Sequence, residues 1–253
     1  MLEITQFKNK IRTHGLARTL FYSAQFASRP LWRKLLAEPI LKSYSEQGED
    51  VIIDRILGNK RSGIYLDIGA YDPHSLSNTK RFYDRGWRGC NVEPNPTRFD
   101  KFVRERPEDI NLNIGISGAA GNMVFFEAEH EYLSTFSEER ATQLKSMGEK
   151  IRREIEVPII TMTDVFVNHL KTAAVDFCSV DTEGMDLMIL ESNDWRRFRP
   201  RVMCVEVSLA EDQSKSGQGT MSVEGFLASV GYKKHTETVQ FGVPLNQIFV
   251  SED

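Results

Sequence analysis

From Tyr44 onward, short apolar runs alternate with segments whose apolar positions recur at helical spacing, which predicts strands and helices in turn. GIYLDIGA is a β-rich run ending in glycine, SNTKRFYDRG a helix stopped by Gly86, and RGCNVEP a second strand closed by Pro94. Together they make a β-α-β unit. NPTRFDKFVRER is the next helix, with Asn95 as its N-cap, and DINLNIGIS is the third strand. NMVFFEA alternates as a hairpin strand, and EERATQLKSMGEKIRREI reads as one exposed helix of mixed charge, an insertion or a lid. VPIITMTDVFVNHL is a strand and then a helix capped by Thr163, with Asp164 in its first turn. The strand VDFCSVD, a helix MDLMILES opening past Gly184, and the buried strand RPRVMCVEVS follow. MSVEGFLASVG adds a helix, and YKKHTET and LNQIFVSE add two closing strands. The alternation favours an α/β architecture, with helices on both faces of a mostly parallel sheet.

Residues 1–42 differ. Eight basic residues there oppose only Glu3 and Glu38, a net +6 in a chain whose total is −4. Ile11, Leu16, Leu20, Phe21 and Phe26, then Leu31, Leu35 and Leu36, predict two helical pieces separated by Ser28–Pro30. The expected organisation is a basic N-terminal helical extension over 1–42 and a main domain over 43–253. Two readings of the extension stand: a lid packed on the main domain, or peripheral contact with an anionic membrane surface or an acidic partner.

Composition narrows the class. The 253 residues are 40% hydrophobic and 27% charged, the balance of a soluble globular protein with one sizeable core. A net acidic chain is not built for generic nucleic-acid binding, which needs an excess of Lys and Arg. Cys90, Cys178 and Cys204 lack CxxC spacing and sit in apolar runs, so the expectation is a reduced, cytoplasmic protein. No stretch approaches the ~18 apolar residues of a spanning helix, and MLEITQFKNKIRTHG lacks a signal peptide's apolar centre.

In an open parallel sheet, ligands gather beyond the carboxyl ends of the strands. Those ends carry Asp67-Ile68-Gly69-Ala70, then Glu93, Ser117, Asp181-Thr182-Glu183-Gly184 and Glu206. The fingerprint GxGxxG is absent, which counts against NAD. Glu93 follows Asp67 by about 25 residues, where an acid accepts the hydroxyl hydrogens of a ribose. Acids without a glycine-rich phosphate cradle suit a nucleoside cofactor lacking phosphates, and S-adenosylmethionine, whose sulfonium tolerates an acidic pocket, is the natural candidate.

The run YLDIGAYDPHSLSNTKRFYDRGWRGCNVEPNPTRFDKF, followed by INLNIGIS, LSTF and VDFCSVDTEGMDLMIL, resembles the FkbM family of S-adenosylmethionine-dependent methyltransferases. SYSEQGEDVII, ahead of the first strand, is similar to that family's leading segment. The resemblance spans about Ser43 to Val207 and leaves residues 1–42 outside. It implies a class I, Rossmann-like methyltransferase fold: a mostly parallel seven-stranded sheet with a reversed final strand. It also implies O-methylation of a sugar, glycan, glycolipid or secondary-metabolite hydroxyl. By that resemblance Asp67 and Gly69, with Ala70 in the same turn, line the methionine end, Glu93 holds the ribose, and Ser117 joins the cofactor set. Asn78 and Thr79 either bond the cofactor's carboxylate or cap a helix, and Gln47 either closes over the cofactor or starts one. The turn GAYDPHS departs from the class, where a second glycine often stands.

An alcohol acceptor needs help losing its proton. Asp181, which also belongs to the cofactor set, acts with Glu183 and Glu206 as general base, or Asp181 and Glu206 hold a Mg2+ or Mn2+ that lowers the hydroxyl's pKa. DTEG also suits a plain helix N-terminus. Glu206, between Val205 and Val207, must have a partner, because an unpaired charge in an apolar strand is costly. His74 is a second candidate base or an ordinary loop histidine. Ser134 and Thr135 offer hydroxyls to a polar acceptor. The rival readings are a NAD-dependent Rossmann enzyme and a methyltransferase-like scaffold without catalysis.

Overall fold

The computed structural model describes residues 42–207, 221–240 and 242–252. The basic extension expected over residues 1–42 therefore lies, apart from Lys42, outside the described residues. Helix α1 (Glu49–Ile56) leads into β1 (Ile64–Ile68), α2 (Lys80–Asp84), β2 (Arg88–Val92), α3 (Pro96–Glu105) and β3 (Ile110–Leu112). Next come β4 (Gly115–Ile116), β5 (Gly121–Ala128), α4 (Glu138–Ser146) and β6 (Ile151–Ile160). The chain continues through α5 (Met162–Asp164), which runs on as a π-type turn over Val165–Leu170, then β7 (Phe177–Val180), α6 (Asp186–Glu191) and β8 (Val202–Glu206). It closes with α7 (Val223–Ser229), β9 (Tyr232–Gln240) and β10 (Val243–Ser251).

Seven strands form one sheet in the order β3-β2-β1-β7-β8-β10-β9. Neighbours from β3 across to β8 are parallel, and β10 runs antiparallel to both β8 and β9. This is the Rossmann-like sheet with a reversed final strand that the family resemblance implied. Successive side chains in a strand point to opposite faces, so each apolar strand feeds two cores. Tyr65, Phe177, Cys204 and Ile248 pack with Ile53 of α1 and Phe82 of α2. Leu66, Cys178, Met203 and Phe249 pack with Met162 of α5, Leu190 of α6 and Leu227 of α7. All three cysteines are buried inside these cores. Among the described residues no helix is long and apolar enough to cross a membrane.

Three expectations fail, each for a local reason. The third strand is not continuous: Ile110–Leu112 pairs with β2, whereas Gly115–Ile116 leaves to pair with β6. At the break, the Asn113 side chain donates to the carbonyls of Glu93 and Pro94, occupying acceptors at the end of β2 and turning the chain away. The long charged helix stops at Ser146, and Gly148, at φ +92°, turns the chain into β6. IRREI is strand because Ile155, Val157 and Ile159 alternate inward with Glu154, Glu156 and Pro158, and β6 completes a separate sheet of order β4-β6-β5. The cap of α5 is Thr161, not Thr163. Its hydroxyl accepts from Asp164 N–H while the Asp164 carboxylate accepts from Thr161 N–H, and Thr163 instead donates to the Ser192 carbonyl.

Asn95 caps α3 as expected. Its Oδ1 accepts from the N–H groups of Thr97 (2.9 Å) and Arg98 (3.4 Å), and its Nδ2 donates to Glu127. Asn95→Ala removes all three bonds and is expected to lower unfolding stability by about 1–2 kcal/mol in urea titration. An unchanged midpoint would mean that the cap contributes nothing.

Candidate active site

The carboxyl ends of β1, β2, β7 and β8 open on one cavity of about 460 Å³, a size suited to a small-molecule ligand. Its floor is set by Gly69. Here the backbone turns at φ +77°, and a Cβ would lie 1.7 Å from the Asp181 carbonyl oxygen, so only glycine fits. The N–H groups of Gly69 and Ala70 both donate to the Val92 carbonyl, and Asp181 N–H donates to Ile68, which ties the ends of β1, β2 and β7 together. Three of the residues with positive φ other than glycine, Tyr71, Leu76 and Glu183, line this same cavity. Such conformations cost free energy and persist where the surroundings over-determine them.

Asp67 is buried and accepts a 2.6 Å bond from the Thr79 hydroxyl. Burial pushes its carboxyl up to about 6. Glu93 is fixed by two backbone donors at 2.8 Å, Asn95 N–H to Oε1 and Tyr71 N–H to Oε2. Each oxygen keeps a lone pair for a further donor such as a hydroxyl. Burial outweighs these bonds and raises Glu93 to about 7. The Arg98 guanidinium lies 3.5 Å from the centre of the Tyr71 ring, donates to the Tyr71 carbonyl and pairs with Glu131.

Asp181, Glu183 and Glu206 converge: one ligand oxygen from each lies within 4.8 Å of the others. Asp181 faces the open cavity but is crowded by protein on its remaining sides. Burial raises Asp181 to about 6 and Glu183 to about 7, with Asp181 adding to the rise at Glu183 and Arg140 opposing it. Burial and the charges of Asp181, Glu183 and Asp186 push the Glu206 carboxyl well above the usual carboxylate range. The Glu206 Oε2 atom has no partner among the described residues.

Of the residues singled out from sequence, Asp67, Gly69, Ala70, Asn78, Glu93, Ser134, Thr135, Asp181, Glu183 and Glu206 line the cavity. Asn78 does not cap a helix: its Nδ2 donates to Ser179 (3.0 Å). Four candidates lie off the wall. Gln47 is engaged through its backbone N–H with Glu49, Thr79 is buried behind Asp67, and Ser117 faces Met188 because it follows β4 of the smaller sheet. His74 stands on an exposed loop against Glu105. The structure adds Glu46, Glu49, Arg98 and Asn246, which sequence reading passed over. Glu49 in SYSEQGED carried a faint signal. Asn246 carried none, since only the pairing of β10 with β8 sets it beside Glu206.

The description "Methyltransferase FkbM domain" belongs to a family whose model matches residues 67–234. Among solved structures, the chain is similar to a TehB-like SAM-dependent methyltransferase from Corynebacterium glutamicum (14% identity, TM-score 0.42, 91% of this chain and 98% of that one). It is also similar to precorrin-6y C5,15-methyltransferase from Geobacter metallireducens (14% identity, TM-score 0.38, 81% and 86%). No curated protein matches it.

These raised carboxyls dictate a pH dependence. Their folded values exceed their ordinary ones, so the folded chain binds more protons than the unfolded chain between the two. The stability they contribute is present at about pH 4 and lost as pH rises through about 6 to 7. Asp54, Asp72 and Asp84, held below the ordinary range, change only in more acidic solution. Unfolding stability of the ligand-free protein should fall by at least about 2 kcal/mol from about pH 5 to about pH 8, read by urea titration. A rise over that window would refute burial as the cause.

Proposed function

The chain belongs to the FkbM family of methyltransferases and is an S-adenosylmethionine-dependent methyltransferase, and on that premise we propose that it methylates a hydroxyl of a sugar, glycan, glycolipid or secondary-metabolite acceptor. The observation that carries this reading is the convergence of Asp181, Glu183 and Glu206 at the carboxyl ends of neighbouring strands, in the cavity that Gly69 and Glu93 also line. Family membership sets aside the NAD-dependent and scaffold readings.

The residues fit the donor. Glu93 keeps lone pairs for the two ribose hydroxyls, and the cavity offers carboxylates where a cationic group is to be held. When bound, S-adenosylmethionine supplies an electrophilic methyl group. The chain's own work is to align an acceptor oxygen with that methyl and to take the hydroxyl proton. Asp181 is the proposed base, because it stands beyond β7 in the acid cluster and opens on the cavity. Glu183, raised toward neutrality, is the second acceptor of protons. Ser134 and Thr135 are proposed to face the acceptor, although both are partly engaged: Ser134 Oγ accepts from Ala128 N–H, and the Thr135 hydroxyl donates to the Glu183 carbonyl.

A second reading has its own observation. Three carboxylate oxygens within 4.8 Å of one another, with Glu206 Oε2 unpartnered, fit a hard divalent cation such as Mg2+ or Mn2+. Asp181, Glu183 and Glu206 would hold it, and its chemistry would be to acidify the acceptor hydroxyl. Of the remaining expectations, we propose a cytoplasmic protein whose residues 1–42 serve as a lid or a membrane-surface contact, supported by their +6 charge.

Glu93→Ala should weaken S-adenosylhomocysteine binding by at least about tenfold in isothermal titration. Glu206→Gln should leave that binding within about threefold and cut transfer of labelled methyl to a hydroxyl acceptor by about a hundredfold or more. Equal loss of binding in both variants would sink the division of roles. Exhaustive chelation decides between the two readings of the acids: activity retained keeps the general base, and activity lost and restored by Mg2+ or Mn2+ establishes the cation.

A further inference from the structure

Tyr71 is strained in the turn that follows β1. Its backbone stands at φ +55°, in the left-handed region that glycine or asparagine adopts readily and tyrosine does not. In that conformation its N–H meets Glu93 Oε2 (2.8 Å), while the other oxygen is held by Asn95 N–H. The groups that hold Tyr71 there come from α3. Arg98, 6% exposed, lays its guanidinium 3.5 Å from the Tyr71 ring centre, and its Nη1 donates to the Tyr71 carbonyl (3.1 Å). Its Nη2 pairs with Glu131, which opens the 3-10 turn Glu131–Leu133. Nε is buried without a partner among the described residues, so the guanidinium is not placed by its own hydrogen-bonding demands. Lys101, which shares a helix face with Arg98, holds Asp72 Oδ2 (3.3 Å), and Asp72 Oδ1 accepts from the N–H groups of His74 (3.0 Å) and Ser75 (3.1 Å). One face of α3 thus grips Tyr71 and Asp72 together. Contact with a ring face and a carbonyl at once calls for the planar fork of arginine, which lysine lacks.

We propose that Arg98 is a positioning residue for donor binding: by holding Tyr71 in its left-handed turn through both ring and carbonyl, it fixes the Glu93 carboxylate in the orientation that receives the ribose hydroxyls. The inference rests on the methyl-donor reading above and adds to it a residue that acts through two others. The contacts run from Arg98 to Tyr71 and from Tyr71 to Glu93. Without the guanidinium, Tyr71 relaxes toward the ordinary β or right-handed α regions, and its N–H leaves Oε2. Glu93 then keeps a single backbone donor, and the plane of its carboxylate is no longer locked. A group that must be ordered during binding holds its ligand less tightly than one already in place. The unpartnered Nε is the cost of this clamp, since the guanidinium lies where the Tyr71 ring, the Tyr71 carbonyl and Glu131 require it.

The test is a double-mutant cycle read by isothermal titration of the full chain with two probes: S-adenosylhomocysteine and its 2′-deoxy analogue, which lacks one of the hydroxyls assigned to Glu93. Arg98→Met keeps the apolar stem and removes the clamp, and should weaken S-adenosylhomocysteine binding by at least about tenfold. Added to Tyr71→Gly, where the turn needs no holding, the same substitution should cost less than about threefold. The preference for S-adenosylhomocysteine over the deoxy probe should fall in Arg98→Met and return in the double variant, whereas partial unfolding would lower both affinities alike. Arg98→Lys, which retains the charge without the planar fork, should behave as Arg98→Met and supplies the same cycle where the methionine variant does not fold. An equal cost of losing Arg98 with and without Tyr71→Gly would overturn the inference, as would parent-like binding by Arg98→Met or Arg98→Lys. Folded parent protein that binds neither probe would overturn the methyl-donor reading itself, and this inference with it.

Discussion

The close approach of Gly69 to the Asp181 carbonyl is the constraint on which the site depends. Strands β1 and β7 are parallel partners up to Ile68 and Val180, and Asp181 N–H extends their ladder by donating to Ile68. Beyond that bond the two chains must separate within a residue of one another, and there is no room for a Cβ. The left-handed turn at Gly69 sends the chain across the end of β2, where the Val92 carbonyl and Glu93 receive Gly69, Ala70 and Tyr71. Strand order reverses here, since β1 has β2 and β3 on one side and β7 and β8 on the other. A crevice at such a switch point is a geometric consequence of the topology, and the acids at the strand ends inherit it.

Charge is sorted around that crevice. Arg106, buried beneath the loop, donates to the Pro73 carbonyl and to the hydroxyls of Ser77 and Thr79, and Thr79 passes its own hydrogen to Asp67. A cation therefore supports the back of the loop while carboxylates face the cavity. The arrangement costs stability in the empty protein, visible as carboxyls raised by burial and mutual repulsion.

Much of the main sheet was legible because buried parallel strands are short apolar runs that stop abruptly. IYLDI, FCSV and VMCVE are strands by that criterion, and Asn95 and Gly86 mark a helix start and stop by their own chemistry. The smaller sheet was legible only in part, since NMVFFEA and VPII read as strands and are strands. Its strand β6 begins in IRREI, where charge density imitates an exposed helix, and its partner β4 is two residues long. Nothing local separates INL from GI; the side chain of Asn113, reaching carbonyls some twenty residues back, does so.

By itself the sequence determined which residues stand at strand ends. Asp67, Glu93, Asp181 and Glu206 each close an apolar run, and a strand that ends in an acid presents it at the sheet's edge whatever lies around it. Tertiary structure alone decided which neighbours complete the site. Thr79 and Ser117 lie close to the strand ends in sequence yet face other groups, and His74 stands on an exposed loop. Glu49 and Asn246 are separated by 197 positions, yet they meet in one hydrogen bond beside Glu206. The physical reason is range: backbone periodicity and capping act over a few residues, whereas the reversal of β10 and the return of the leading segment bring distant polar groups into one cavity, where burial rather than spacing sets their chemistry.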